Sequence, residues 1–259
     1  MVMDVAGTIL RMYRVAKNIS RGDILEKVVT WELIMKKKGQ ALVVPQVDPE
    51  FVISCRPDDP LNTLFGGREE YVEISCSSSP ISKDDILKIL SRSQIKVHEL
   101  QEVYQVVKAK CPHKYLTTGM IVDEDIGEIT YVLSTGGTPF PGLQGVLIEL
   151  ENLGADVFIA SGDSMRSLMN LKDYGINLER VYPVASPRRK QEIVANLKKK
   201  YRRVVMVGDG LNDLYALLAA DLGVLTVQQD THPALKLCQA ADKIIWDIQE
   251  LPNIVMNPG

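Results

Sequence analysis

From Leu143 onward the chain alternates helical stretches with short apolar runs, and this alternation restricts the fold more than any other feature. The stretch LQGVLIELENL stops at Gly154 and gives way to ADVFIA, a continuous apolar run typical of a strand buried on both faces. Ser161-Gly162-Asp163 follows, and then SMRSLMNLKDYG, a second helical stretch closed by glycine. VYPVA predicts a short strand. In Ser186-Pro187, serine suits a helix N-cap and proline the first helical position, so PRRKQEIVANLKKK predicts a helix. VVMV is the next strand, GDGLND its loop and LYALLAA its helix; LGVLTV, a helix after THPA, and KIIW complete the series. Such alternation builds right-handed βαβ units, and hence an α/β fold in which helices cover both faces of a parallel sheet.

The opening MVMDVAGTIL fits the same scheme. Three apolar residues meet Asp4, and Gly7 and Thr8 follow before the apolar residues resume, as at the end of a first strand. Residues 12 to about 117 lack this metre. TWELIMKKKGQALVV reads as two strands around a Lys-Gly turn, YVEIS as a further strand, and Ser82 as the cap of ISKDDILKILSRS. VHELQEVYQVVKAK places Leu100, Val103, Val106 and Val107 at helical spacing. The predicted organisation is a core of residues 1–13 and 118–259 split by an inserted α+β module, 14–117. The hairpin GMIVDEDIGEITYVLS is placed where the chain rejoins the core.

Of the 259 residues 46% are hydrophobic, which supports a sizeable core and argues against disorder. A net charge of -3 argues against a general nucleic-acid binder, so the runs Lys36–Lys38 and Lys198–Lys200 read as solvated surface. No apolar stretch approaches the ~18 residues of a membrane span. The longest, Ala216 to Val227, is cut by Asp221, and the N-terminus lacks a signal-peptide layout. Cys55, Cys76, Cys111 and Cys238 lie far apart, without zinc or disulfide spacing. Together these predict a soluble, cytoplasmic protein with no membrane or nucleic-acid partner.

Ligands of open parallel sheets bind beyond the carboxyl ends of the strands. Four such ends carry polar residues here: Asp4 and Thr8; Ser161-Gly162-Asp163; Lys190, early in its helix; and Asp209 with Asp213. Singly, each is explained by a turn, a cap, a surface lysine or a Gly/Asp loop. Jointly they fall on one edge. Asp4, Asp209 and Asp213 in one pocket call for a cation, and hard carboxylate oxygens suit Mg²⁺. A metal and a lysine would neutralise a phosphoryl group whose oxygens a serine hydroxyl and helix N-terminal N–H groups hold. Asp4 would then be the in-line nucleophile.

The order Asp4-x-x-Gly-Thr8, Ser161, Lys190, then Gly208-Asp209-Gly210-x-Asn212-Asp213 resembles the haloacid dehalogenase-like (HAD) phosphotransferases. ASGD, SPRRKQEIV and GDGLND are closer still to the phosphorylation domain of P-type ATPases, and the whole chain resembles the soluble P-type ATPase-like phosphatases of archaea. The resemblance implies a HAD-like Rossmannoid sheet and a Mg²⁺-dependent phosphohydrolase working on a small phosphorylated substrate through phospho-Asp4. It assigns Asp4, the Ala6 carbonyl and Asp209 as Mg²⁺ ligands, with Asp213 supporting the metal's waters and Lys190. It assigns phosphate oxygens to Thr8, Ser161 and the Gly162 N–H, charge balance to Lys190, and a pocket-lining place to Asn212.

One departure matters for mechanism. Most HAD phosphatases carry a second aspartate two residues after the nucleophile, and here that position is Ala6. The missing acid/base is typically worth 10²–10⁴-fold in rate. The T-G-E loop by which P-type ATPases hydrolyse their intermediate is absent as well. The expectation is a preference for good leaving groups, such as nucleotide, aryl or acyl phosphates. Slow hydrolysis of the intermediate is also expected, unless Asp123, Glu124 or Asp125 of the module reaches in. Two alternatives stay open: a phosphonoacetaldehyde hydrolase, whose HAD branch also has D-x-A-G-T, and a weakly active regulatory or partner-binding relative. Gly66-Gly67-Arg68 reads as a phosphate- or base-binding element or as a plain loop. His232 reads as a capping or packing residue, and Trp31 and Trp246 as strand residues.

Overall fold

The computed structural model describes residues 1–66, 71–111, 115–229 and 232–256, which leaves Gly67 and Arg68 of the Gly-Gly-Arg element outside the described residues. The strands are β1 (Val2–Met3), β2 (Leu10–Asn18), β3 (Ile24–Glu26), β4 (Gln40–Pro45), β5 (Val72–Ser77), β6 (Tyr115–Asp123), β7 (Glu128–Pro139), β8 (Phe158–Ala160), β9 (Val181–Tyr182), β10 (Val205–Gly208), β11 (Leu222–Thr226) and β12 (Lys243–Ile245). The α-helices are α1 (Thr30–Met35), α2 (Pro49–Ser54), α3 (Lys83–Arg92), α4 (Val97–Lys110), α5 (Leu143–Asn152), α6 (Met165–Leu168), α7 (Pro187–Lys198), α8 (Leu214–Ala219), α9 (Leu235–Ala240) and α10 (Leu251–Met256). They form two compact units, one of residues 1–12 and 138–259 and the other of residues 13–137.

The first unit is an α/β fold. Its six strands run in the order β12-β11-β10-β1-β8-β9, and every pairing is parallel. The two-residue β1 lies near the middle, with Met3 opposite both Val207 and Ile159. Val2, Phe158, Ala160 and Met206 share a core with Ile193, Leu197, Ala216 and Leu217 of α7 and α8. Alternation along each strand sends Met3, Ile159 and Val207 to the opposite face. All three are fully buried, so that face is covered too. Ser186 caps α7 by accepting the Arg189 N–H at 3.3 Å, and proline follows at the first helical position.

The second unit is an antiparallel sheet in the order β3-β2-β7-β6-β4-β5, with its own core. Leu100, Val103, Tyr104 and Val107 of α4 pack there with Val43, Met120, Val122 and Val132 of the sheet. Two expectations are corrected here. TWELIM forms α1 and not a strand. Its adjacent Leu33 and Ile34 are both buried in one cluster, which a strand would place on opposite faces. The return boundary also moves, from 117/118 to 137/138, because β6 and β7 pair with each other and β6 pairs with β4. The hairpin therefore belongs to the module. At its tip, Lys37 Nζ lies 3.0 Å from Asp123 and 3.3 Å from Asp125, so these carboxylates are neutralised within the module. Trp31 lies in α1 and Trp246 just past β12, both well exposed, and His232 is also exposed. Among the described residues no helix is long and apolar enough to cross a membrane.

Candidate active site

Every proposed functional residue of the core lies at or just beyond the carboxyl edge of the parallel sheet. The Asp4 N–H donates to Val207 O at 3.0 Å, so the nucleophile candidate extends the β1–β10 ladder. Beyond it the chain folds into a tight loop in which Val5 O accepts from the N–H groups of Thr8 (3.3 Å), Ile9 (3.0 Å) and Leu10 (3.0 Å). Gly7 adopts φ +76°, and a Cβ built there would overlap the Asp209 carboxylate. That close approach across two loops explains why glycine occupies the position.

Lys190 is fully buried on α7 and joins the two ends of the chain. Its Nζ donates to Asp4 Oδ1 at 2.6 Å and to Asp213 Oδ1 at 2.7 Å. Asp213 Oδ2 in turn accepts from the Asp209 and Gly210 N–H groups, each at 3.2 Å. A Cβ on Gly208 would lie 2.5 Å from Asp213 Cγ, so the GDG backbone wraps closely around this carboxylate. One oxygen each from Asp4, Asp209 and Asp213 fall within 4.8 Å of one another.

Three carboxylates face one ammonium. Burial, then the Asp213 charge, pushes Asp4 up to about 7, against the opposing pull of Lys190. Burial opposes the Lys190 charge too, but Asp213 and Asp4 outweigh it and raise its pKa. The remaining negative charge, the all-oxygen donors and their mutual distances fit a hard divalent cation. Among the described residues Thr8 Oγ1 is buried with no hydrogen-bond partner, an orphaned donor of the kind a ligand oxygen satisfies.

Folded Asp4 holds its proton more tightly than unfolded Asp4 between about pH 4 and pH 7. In the absence of a divalent cation its contribution therefore favours the fold at low pH, declines as pH rises through that window, and levels off above it. A cation binding the carboxylates opposes this decline. Melting scans of chelator-treated protein should accordingly show a larger stabilisation by added Mg²⁺ at about pH 8 than at about pH 5, a difference that Asp4→Asn diminishes. An equal Mg²⁺ effect at both pH values would place Asp4 outside the cation's reach.

Ser161 follows β8, the other neighbour of β1, and is buried. Its hydroxyl donates to Asp163 Oδ2 at 2.9 Å and accepts the Asp163 N–H at 3.2 Å. Ala6 is half-buried in the nucleophile loop, while Gly162 and Asn212 are exposed. Asn212 Oδ1 crowds the position a Gly210 side chain would occupy. Asp4, Lys190, Asp209 and Asp213 thus converge directly, Ser161 and Thr8 sit in the adjoining loops, and Gly162 and Asn212 lie toward solvent. The role of Asp163 is set by its bonds to Ser161, which the S-G-D triplet in the sequence could not show.

Comparison with known proteins shows which family the chain resembles. The family model described as haloacid dehalogenase-like hydrolase matches residues 2–221. A soluble P-type ATPase-like phosphatase of Methanocaldococcus jannaschii is 31% identical over 255 residues, 98% of this chain and 91% of that protein. The probable copper-importing P-type ATPase A of Enterococcus hirae is 38% identical over 77 residues, 29% of this chain but only 11% of the pump. Among solved structures, the catalytic domain of the CPx-ATPase CopB-B is similar at 29% identity with a TM-score of 0.46, covering 54% of this chain and 53% of that one.

Proposed function

The chain belongs to the haloacid dehalogenase-like hydrolases, and from that premise we propose a Mg²⁺-dependent phosphohydrolase in which Asp4 is the nucleophile. The observation that carries this reading is the bridge of Lys190 Nζ between Asp4 and Asp213, residues from opposite ends of the chain joined in a buried site. Asp4, Asp209, Asp213 and the Ala6 carbonyl would hold the metal, which supplies charge neutralisation to the phosphoryl oxygens when bound.

The chain's own groups account for the rest. Lys190 favours the ionised form of Asp4 against the opposing effects of burial and Asp213 and fixes its position, and its ammonium compensates charge gathering on the phosphoryl group. An Asp4 oxygen forms a bond to phosphorus as the bond to the leaving oxygen breaks, and the leaving group departs with that electron pair. Thr8 Oγ1 and the Ser161 hydroxyl offer donors to the phosphoryl oxygens; Ser161 does so by releasing Asp163. Water then attacks the phosphorus of phospho-Asp4, giving inorganic phosphate and free Asp4. The Ala6 methyl can neither protonate the leaving oxygen nor activate that water, and Asp123 and Asp125 are engaged with Lys37.

Substrates whose leaving group needs no proton should therefore be favoured. With Mg²⁺, p-nitrophenyl phosphate or acetyl phosphate should turn over at least about 100-fold faster than a sugar phosphate, and EDTA should stop all three. Rates on alkyl phosphates equal to those on aryl and acyl phosphates would refute the leaving-group argument. Rates unaffected by EDTA would refute the metal.

A further inference from the structure

Among the described residues two non-glycines have left-handed backbone, Lys27 (φ 55°) and Val184 (φ 51°). An exposed lysine in a turn is ordinary, but a β-branched residue in this region is a genuine outlier. Val184 is strained and also 51% exposed, so its side chain contributes little to the core. Neither stability nor solubility favours valine there, since glycine or asparagine would relieve the backbone and lose little packing.

Its place in the site is fixed by the main chain. Ser161 N–H donates to Tyr182 O at 3.1 Å, and Ala185 N–H donates to Ser161 O at 2.8 Å. Pro183 and Val184 therefore lie between the two bonds to one serine where a parallel ladder has a single residue, a bulge of one extra residue. The Val184 N–H donates to Asp163 O at 2.9 Å, which ties the bulge to the loop carrying the Ser161 hydroxyl. Strand order at the carboxyl edge runs from Asp209 after β10, through Asp4 after β1 and Ser161 after β8, to this bulge after β9. Two strand spacings, about 10 Å, separate Asp4 from the bulge. A leaving group of moderate size on a phosphoryl group at Asp4 could reach across that distance.

We propose that Val184 is a specificity-determining residue whose exposed side chain forms an apolar wall for the leaving group, selecting phosphorylated substrates with an aromatic or similarly flat apolar face. This deepens the phosphohydrolase reading and rests on it for the position of the phosphoryl group. Backbone strain retained at a functional site indicates a selected side chain, because the left-handed turn alone would be met better by glycine.

The test uses Val184→Gly and Val184→Asn, both compatible with the turn. With Mg²⁺, each should raise KM for p-nitrophenyl phosphate about fivefold, the value of one modest apolar contact, and leave KM for acetyl phosphate within about twofold. Both should melt about 2–4 °C higher as the strain is released. KM values that shift together for both substrates would mean that Val184 only positions Ser161, and unchanged values would mean that it touches neither; either result overturns the proposal. Calorimetry in the Asp4→Asn background separates this from failure of the hydrolase reading, because it needs no turnover. Phenyl phosphate should bind more tightly than inorganic phosphate, and Val184→Gly should erase the difference. No difference with Val184 in place overturns the proposal, whereas absent hydrolysis of both substrates by the unsubstituted chain bears on the hydrolase reading alone.

Discussion

Asp4→Asn is expected to lower Mg²⁺-dependent turnover of p-nitrophenyl phosphate by more than about 10⁴-fold while leaving the melting temperature unchanged or higher. In the proposed mechanism the variant lacks the nucleophile of the covalent route, and an amide cannot replace it. Stability should not suffer, because the Asp4 charge is held at a cost. Burial and Asp213 both disfavour it, and Lys190 keeps Asp213 as a partner when Asp4 becomes neutral. Activity and stability thus move apart, as they do where an active site is built against the stability of the fold. A variant that loses activity by unfolding would show instead that the Lys190–Asp4 bond holds the core together. A variant that keeps its activity would remove Asp4 from the chemistry altogether.

Gly7→Ala should be nearly as damaging by a different route. At φ +76° an alanine costs about 1–2 kcal/mol, and its methyl overlaps the Asp209 carboxylate. Either Asp209 swings away or the loop after Asp4 lifts, and both separate the carboxylates proposed to share a cation. Displacements of about 1 Å at such a centre can cost 10²-fold in rate, so a fall of about 100-fold or more is expected. The signature is a raised Mg²⁺ requirement: activity should recover in part at high Mg²⁺ if Asp209 has been displaced. Wild-type activity at ordinary Mg²⁺ would show that the approach of Gly7 to Asp209 is immaterial.

The site was legible where chemistry is written next to a strand end. VVMV followed by GDGLND, and SPRRK opening a helix, are local patterns, and α7 and β10 form where those patterns predict. What could not be read depends on partners distant in the chain. Gly7 is visible in the sequence, but the reason for it is Asp209, about two hundred positions away. A valine argues against left-handed backbone, so nothing local marks Val184; its conformation follows from bonds to Ser161 and Asp163. The same limit moved the return boundary. Alternating residues in β6 and β7 announced a hairpin, but only their pairing decides which sheet the hairpin joins. TWELIM is too short for its sequence to separate the two periods, and it is the burial of adjacent Leu33 and Ile34 in one cluster that marks it as helix.

In the module's sheet, β2 and β7, the strands that bring the chain in and lead it out, are immediate neighbours. On the core side the Phe140 N–H donates to Ile9 O at 3.1 Å, so the two connections already lie together there. The insertion is therefore a detour with a single doorway. Its length could change, or another domain could take its place, without rerouting any strand of the catalytic sheet. The inserted unit and the parallel sheet are thereby free to vary independently along one polypeptide.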